Sequence, residues 1–158
     1  MNADSSGRLR LLLAEHHREL ETACRALLGH TYGEDPRELS LQYRAFERST
    51  LDHLAAEEEL ILPAYADHDP DDAAAIRREH ATIRRLLFQV GIEVELHIVR
   101  AGTVKRLIDV LQAHAAREDA SVYRWAQDHL PLSTRRQLFV RIGHALRTLA
   151  RRSSSVAS

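Results

Sequence analysis

Apolar residues recur every three to four positions along most of the chain, which is the period of a helix that buries one face. No segment shows sustained alternation of apolar and polar residues, so strands are not expected. The pattern predicts four long helices, at about 8–29, 36–66, 73–100 and 103–129. Short turns between long helices favour an all-α fold, an up-down antiparallel four-helix bundle within a single domain over 1–158.

Local signals mark several of the helix ends. Asp35 and Pro36 are typical of an N-cap and a first helical position. Pro63 is expected to kink the last turns of the second helix, because proline cannot donate the helical hydrogen bond. In DHDPDD (67–72) either Asp71 or Asp72 is predicted to cap the third helix.

A fifth helix is predicted at about 133–152, followed by a frayed tail at 153–158. Residues 131–158 carry six arginines and no acid, whereas residues 1–130 carry a net charge of −7. This basic segment either contacts a nucleic acid or an acidic partner, or it lies against its own acidic body or is simply solvated, and we favour the second interpretation. No aromatic or glycine-rich motif accompanies the charge, so a nucleic-acid partner is not expected. A homodimer or a protein partner through this helix stays open.

Composition excludes several classes of protein. The length of 158 residues suits one domain, and no run of about twenty apolar residues is present to span a membrane. Cys24 is the single cysteine, which excludes an internal disulfide and a zinc site with two or more thiolates. The first residues lack the apolar run of a secretory signal, so a cytoplasmic location is expected.

The chain contains ten histidines against three Phe and one Trp, and four of the histidines follow a two-fold repeat. Segment LLAEHHREL (12–20) aligns with AIRREHATI (75–83), which matches His17 with His80. Segment DHLAAEEELIL (52–62) aligns with AHAAREDASVY (113–123), which matches two further His and two Glu, namely His53 with His114 and Glu57 with Glu118. The offsets are 63, 61 and 61 residues.

These six side chains interrupt the apolar faces that the bundle should bury. Unpartnered imidazoles and carboxylates would be costly there, whereas a metal ion needs neutral imidazole and ionised carboxylate. The i,i+4 spacing of each His–Glu pair lets both side chains reach one centre. Four His and two Glu exceed the ligands of one structural zinc and suit two ions, for which iron, manganese or zinc are the expected metals.

At this point the chain resembles the hemerythrin-like, or HHE cation-binding, family over about residues 9–126. The resemblance lies in four motifs that arrive in order: EHHREL, HLAAEEELILP, EHATIRRLL and HAAREDASVY. It implies a four-helix bundle with a non-haem, carboxylate-bridged di-iron centre. The implied metal ligands are two Glu that bridge the irons and four His, that is Glu57, Glu118, His17, His53, His80 and His114.

The chain departs from the O2-carrying hemerythrins in the third predicted helix, where they place a second His four residues after the ligand and this chain has Arg84. Two ligand positions have an alternative next to them. Asp119 adjoins Glu118, and we prefer Glu118 because it keeps the His–Glu spacing of the second helix. His16 adjoins His17, and we prefer His17 because it satisfies the repeat with His80.

The family's small-molecule ligands are O2, peroxide and nitric oxide. Because Arg84 removes one imidazole, we expect an open di-iron pair that handles peroxide or cycles redox state, with catalase-like decomposition as one form. The alternatives are an O2, NO or iron sensor that signals through the fifth helix, and an iron store or buffer. The other five histidines are interpreted as background, Tyr123 as a core aromatic, Glu58 as solvated and Glu79 as a candidate orienting partner for a ligand.

Overall fold

The computed structural model describes residues 3–29 and 35–155, which form helices and no strand. Side chains are described for 7–29 and 35–151. The helices are α1 (Ala3–Gly29), α2 (Pro36–Leu60), α3 (Leu62–His68), α4 (Pro70–Glu95), α5 (Ala101–Ala120), α6 (Val122–His129) and α7 (Leu132–Ser155). The predicted turn after Gly29 lies outside the described residues, as do His30 and the last three residues of the tail.

The second and fourth predicted helices are each broken shortly after their glutamate of the repeat. The first break is at Ile61, between α2 and α3, and Pro63 lies in the first turn of α3, as the predicted kink requires. The second break is at Ser121, whose φ of −123° and ψ of −86° separate α5 from α6. The prediction of a continuous helix over 103–129 was therefore wrong. It missed the break because neither proline nor glycine marks it in the sequence.

The third helix begins earlier than expected. Asp69 is its N-cap and accepts a hydrogen bond from the Asp72 backbone N–H at 3.0 Å, with Pro70 at the first helical position. The prediction of Asp71 or Asp72 as the cap was wrong, because both lie inside the first turn. Asp35 does cap α2, through a 3.0 Å bond from the Arg37 backbone N–H.

The third helix also ends earlier than predicted, at Glu95 rather than near residue 100. His97 has a φ of 57°, and the backbone N–H groups of His97 and Ile98 bond to the carbonyls of Val94 and Glu93, which is a Schellman ending. The buried Glu93 carboxylate then accepts hydrogen bonds from the Arg100 backbone and the Thr103 hydroxyl, and so caps α5. Residues 101–103 accordingly belong to α5 instead of separating two helices.

The long helices α1, α2, α4 and α5 pack around a shared interior, and this confirms the all-α bundle. Two apolar clusters fill it. One contains Leu20, Ile83 and Leu111, and the other contains Leu13 and Ile76. The polar residues of the repeat lie between these clusters, because each occupies the turn that separates members of one from members of the other. Among the described helices, none has the length and apolar content to cross a bilayer.

Helix α7 packs along α1 and α2. It buries one apolar stripe, consisting of Leu138, Ile142, Ala145 and Leu149. Its basic face meets the acidic body through an ion pair between Arg141 and Glu59. Helix α7, which is the predicted fifth helix, is therefore packed on the bundle. A detached helix would have favoured a signalling role.

Candidate metal centre

Four helices bring the six residues of the repeat to one point in the interior. Helix α1 provides His17, α2 provides His53 and Glu57, α4 provides His80, and α5 provides the pair His114 and Glu118. Five of these side chains are buried, and His17 is 12 % exposed. The i,i+4 spacing places each His and Glu of a pair on the same face of its helix.

The six side chains form two overlapping groups that share both carboxylates. His17 and His53 belong to one group and His80 and His114 to the other, while Glu57 and Glu118 belong to both. Within each group, one potential ligand atom per residue lies within 4.8 Å of the others. Each group therefore offers two imidazole nitrogens and two carboxylate oxygens to a single point.

The carboxylates lie between the two histidine pairs. Glu57 has Oε1 at 3.0 Å from His53 Nε2 and Oε2 at 3.4 Å from His80 Nε2. Glu118 has Oε2 at 3.3 Å from His17 Nε2 and Oε1 at 3.5 Å from His80 Nε2. Because each carboxylate reaches both pairs, the arrangement suits two cations joined by carboxylate bridges.

Buried polar atoms without hydrogen bonds provide a test of whether a metal fits. Within the described part of the chain, Glu57 Oε2, His80 Nε2, His114 Nε2 and Glu118 Oε1 are buried and make no hydrogen bond. Such atoms are rare because each costs free energy, and here all four belong to one group of converging ligands. A cation at this point would satisfy all four, so the residues fit a metal of the kind that imidazole and carboxylate bind together.

The charges of the cluster shift its pKa values in the direction that metal binding requires for the acids. Burial and the charge of Glu57 raise the pKa of Glu118, but the nearby imidazoles of His114, His17 and His80 outweigh them and lower it to about 2. Burial also raises the pKa of Glu57, and His53 and His80 together bring it well below its usual value. Both carboxylates are thus ionised at neutral pH.

The imidazoles differ between the two groups. Burial lowers the pKa of His80, but the nearby carboxylates of Glu118 and Glu57 outweigh burial and raise it to about 10. Burial likewise lowers the pKa of His114, and Glu118 and Glu79 raise it above its usual value. For His17 burial prevails, and its pKa falls. The metal-free site therefore holds a proton in the His80–His114 group, and a metal ion would displace it.

Outer carboxylates orient the histidines of this second group. His80 Nδ1 lies 2.9 Å from Glu58, which also forms a two-pronged ion pair with Arg84. His114 Nδ1 lies 2.9 Å from Glu79, which accepts a hydrogen bond from Arg117. Glu79 thus takes the orienting position expected of it, whereas the interpretation of Glu58 as solvated was wrong. Such partners fix which ring nitrogen faces a metal.

The two alternative ligands lie outside both groups. Asp119 is half exposed and faces Arg10, with 3.4 Å between the Arg10 Nε and a carboxylate oxygen. His16 is fully buried, and its two ring nitrogens contact His53 Nδ1 and Ser49 Oγ, each at 2.7 Å. Neither nitrogen of His16 is turned to the converging ligand atoms, which leaves His17 and Glu118 as the residues that reach them.

Tyr123 is the residue at the cluster that the sequence interpretation missed. Its hydroxyl contacts Glu57, lies 2.9 Å from Glu118 Oε2, and lies 3.1 Å and 3.2 Å from the Nε2 atoms of His53 and His17. Burial and the two carboxylates raise its pKa well above its usual value, so it stays protonated. It reaches the centre because the break at Ser121 redirects the chain, and nothing in the sequence indicates that break.

A cleft of about 310 Å³ lies between α1 and α5 on the side of His17. Its walls include the small side chains of Ala14 and Ala115, and Arg18 and Asp119 are at its polar positions. His17 lines the cleft and also belongs to the first ligand group. The cleft therefore leads from solvent to the edge of the cluster.

The remaining histidines with described side chains lie on the surface. These are His68, His97, His129 and His144, all exposed. All four lie outside both groups, and His68 and His129 stack on Trp125. Among the histidines with described side chains, those of the repeat converge in the interior, His16 is buried beside them, and the other four are exposed.

Comparison with known proteins gives one family. The model of the hemerythrin HHE cation binding domain matches residues 10–126, which is most of the chain and includes all six residues of the two groups. Searches of curated proteins and of solved structures found no match. The matched segment covers the four helices that form the ligand cluster and ends just beyond Tyr123. The chain belongs to the hemerythrin HHE cation-binding domain family.

Proposed function

We propose that this protein holds two iron ions and reacts with peroxide at the pair. The observation that carries the proposal is the sharing of Glu57 and Glu118 by two histidine pairs, with four buried ligand atoms that lack hydrogen bonds. His17 and His53 would hold one ion, His80 and His114 the other, and the two glutamates would bridge them. Imidazole with carboxylate suits iron, and manganese or zinc are the alternatives that metal analysis would identify.

A bound iron pair supplies two-electron redox exchange with peroxide, in which one H2O2 is oxidised to O2 and a second is reduced to two H2O. This stoichiometry needs no further oxidant or reductant. The protein's own part is to keep Glu57 and Glu118 ionised and to fix the imidazoles through outer partners such as Glu58 and Glu79. Neither task requires a residue to change its bonding during turnover.

Tyr123 and the cleft support a small-molecule reactant. The cleft admits a molecule the size of peroxide or O2 as far as His17, next to the protonated Tyr123 hydroxyl. That hydroxyl donates to the two glutamates here, and with their oxygens held by metal its single proton would be free for an oxygen atom placed between the two histidines of this group. Tyr123→Phe should therefore keep both metal ions and slow peroxide consumption, because it removes only the donor. Loss of metal in this variant would instead make Tyr123 a ligand.

Arg84 favours peroxide chemistry over O2 carriage. It is paired with Glu58 and turned from the centre, so α4 contributes one imidazole where the O2 carriers have two. Fewer protein ligands leave more of the coordination sphere for reactants. Sensing of O2, NO or iron, and iron storage, are the functions that remain if peroxide turnover is absent.

The test combines metal analysis with an assay of peroxide turnover. Protein produced with iron supplied should carry two ions per chain, show an optical spectrum that changes on adding peroxide, and release one O2 for every two H2O2 consumed. Glu118→Gln should lose at least one ion. Asp119→Asn is the matched control, because the Asp119 carboxylate adjoins Glu118 in sequence but lies outside the cluster and pairs with Arg10.

Three results would refute the proposal in different ways. Protein without metal after this preparation would remove the centre itself. Two ions with a stable, reversible oxygenated spectrum and no peroxide consumption would indicate an O2 carrier. If Glu118→Gln bound as much metal as wild type and Asp119→Asn lost metal, the bridging carboxylate would be Asp119 and not Glu118.

A further inference from the structure

A row of buried hydrogen bonds connects the candidate centre to the backbone of α7. His53 Nδ1 lies 2.7 Å from His16 Nδ1, and His16 Nε2 lies 2.7 Å from Ser49 Oγ. Ser49 Oγ donates to the backbone carbonyl of Ala145 at 3.0 Å. All three side chains are at most 1 % exposed, so water does not compete for these contacts.

The chemistry of the groups fixes where each proton lies. A carbonyl only accepts, so the single hydroxyl proton of Ser49 goes to Ala145. Ser49 Oγ must then accept, which places a proton on His16 Nε2. His16 is completely buried between a neutral hydroxyl and another imidazole, where a charged ring would be unfavourable, so its Nδ1 has no proton. His53 must therefore carry a proton on Nδ1 to complete the 2.7 Å contact.

The proton order determines which nitrogen of His53 is available. With Nδ1 protonated and bonded to His16, the nitrogen that remains is Nε2, which faces Glu57 at 3.0 Å. We infer that His16 and Ser49 are positioning residues, which use the α7 carbonyl of Ala145 to hold His53 in the tautomer that presents Nε2 to a metal. Helix α7 is then a part of the metal site, although none of its described side chains belongs to the cluster.

This device differs from the outer partners of the other histidine pair. Carboxylates orient His80 and His114, whereas a neutral imidazole and a hydroxyl orient His53. A carboxylate can only accept, so it sets the tautomer directly. A neutral imidazole can face its neighbour with either a proton or a lone pair, and the Ser49–Ala145 bond is what makes His16 an acceptor.

The inference rests on the proposed metal centre for its purpose, but the proton positions can be measured without metal. Long-range 1H–15N correlation of the histidine rings in the metal-free full chain should show His53 protonated on Nδ1. The same spectrum should show His16 protonated on Nε2 and bare at Nδ1. A His53 ring with bare Nδ1, or a His16 ring protonated on Nδ1, would overturn the inference whatever the metal content.

Ser49→Ala tests the consequence for metal binding, with Zn²⁺ as a diamagnetic probe. Loss of an outer partner of a ligand typically weakens metal affinity 10–100-fold, and we expect a loss of about this size together with a mixed His53 tautomer. Thr50→Val is the matched control. Thr50 is the adjacent buried hydroxyl, but it bonds to the Phe46 carbonyl of its own helix, so the variant should keep wild-type zinc affinity.

A Ser49→Ala protein with unchanged zinc affinity and an unchanged His53 ring spectrum would overturn the positioning role. Should Ser49→Ala fail to fold, the wild-type spectrum alone still decides the proton order. Failure of the proposed function has a separate signature, since wild type would then bind no metal while the ring protons kept the order given above.

Discussion

Removing the metal should lower the thermal stability of this protein by a large and measurable amount. The perturbation is chelation of protein that carries two ions, followed by exchange into metal-free buffer. The structural reason is the set of four buried ligand atoms on Glu57, Glu118, His80 and His114 that make no hydrogen bond within the described residues. A bound cation would coordinate these atoms. Its removal leaves them buried without a partner, and their desolvation then lowers the free energy of unfolding.

The size of the effect can be bounded from two directions. An unsatisfied buried polar atom costs about 1–3 kcal/mol, so the four atoms would cost about 4–12 kcal/mol in metal-free protein at a pH high enough to remove the His80 proton, and less at neutral pH, where that proton faces the two carboxylates. Mass action gives a stabilisation close to the lower end of this range, because a single site at a free metal concentration of about 1,000 times its Kd adds about 4 kcal/mol to the free energy of unfolding. For a chain of this length, each kcal/mol shifts Tm by about 2–4 °C. The expected loss on chelation is therefore at least about 8 °C.

Scanning calorimetry of matched loaded and metal-free samples, with metal content measured on both, makes the test. Asp119→Asn should show the wild-type shift, because its side chain pairs with Arg10 outside the cluster. Glu118→Gln should lose most of it, because a shared ligand is gone. A shift below about 2 °C in protein that demonstrably lost two ions would refute the reasoning, since the four atoms would then have been satisfied by other means.

Three further predictions concern the cleft beside His17, the end of α4 and the pH dependence of His80. Ala115→Leu fills the cleft beside His17 and should slow peroxide consumption several-fold at unchanged metal content; an unchanged rate would place the entrance elsewhere. His97→Gly relieves a left-handed residue at the end of α4 and should stabilise the protein by about 0.5–1 kcal/mol, measured by denaturant unfolding, with a loss of stability contradicting the Schellman ending. His80 has a pKa raised to about 10, so its protonated form stabilises the metal-free protein fully below about pH 6.5 and progressively less as pH rises toward 10. Zinc affinity should rise by up to about tenfold per pH unit between pH 6.5 and 8, because the ion displaces that proton, and a flat profile by calorimetry would contradict the assignment.

The convergence of the six His and Glu residues could be predicted from helical periodicity together with the two-fold repeat. His17 and His80 occupy equivalent turns of two helices that each have one apolar face and one polar face. The His–Glu pairs of the other two helices repeat at a constant offset. Helical period fixes which side of a helix a residue faces, and a bundle has one interior. Two facts of sequence therefore suffice to bring side chains from four helices together in space.

The breaks between helices could not be predicted in the same way. Ser121 is the N-cap of α6 but makes no side-chain cap hydrogen bond, and serine alone is too common within helices to mark a break. The end of α4 lacks the glycine that usually occupies a left-handed position, and His97 takes it. These features depend on tertiary contacts, such as the buried Glu93 that caps α5, and so the position of Tyr123 beyond the second break was out of reach.

The repeat predicts a symmetric centre, and the outer contacts make it asymmetric. The His80–His114 pair is backed by two carboxylates, which make its imidazoles stronger electron donors to a metal. Behind the other pair, His53 is backed by a neutral imidazole, and the same group also contains the Tyr123 hydroxyl and the partly exposed His17 that lines the cleft. One ion would thus be held in a closed, electron-rich setting and the other beside a proton donor and an entrance. We therefore expect the small molecule to react on the His17–His53 side, with the other side holding its metal more tightly.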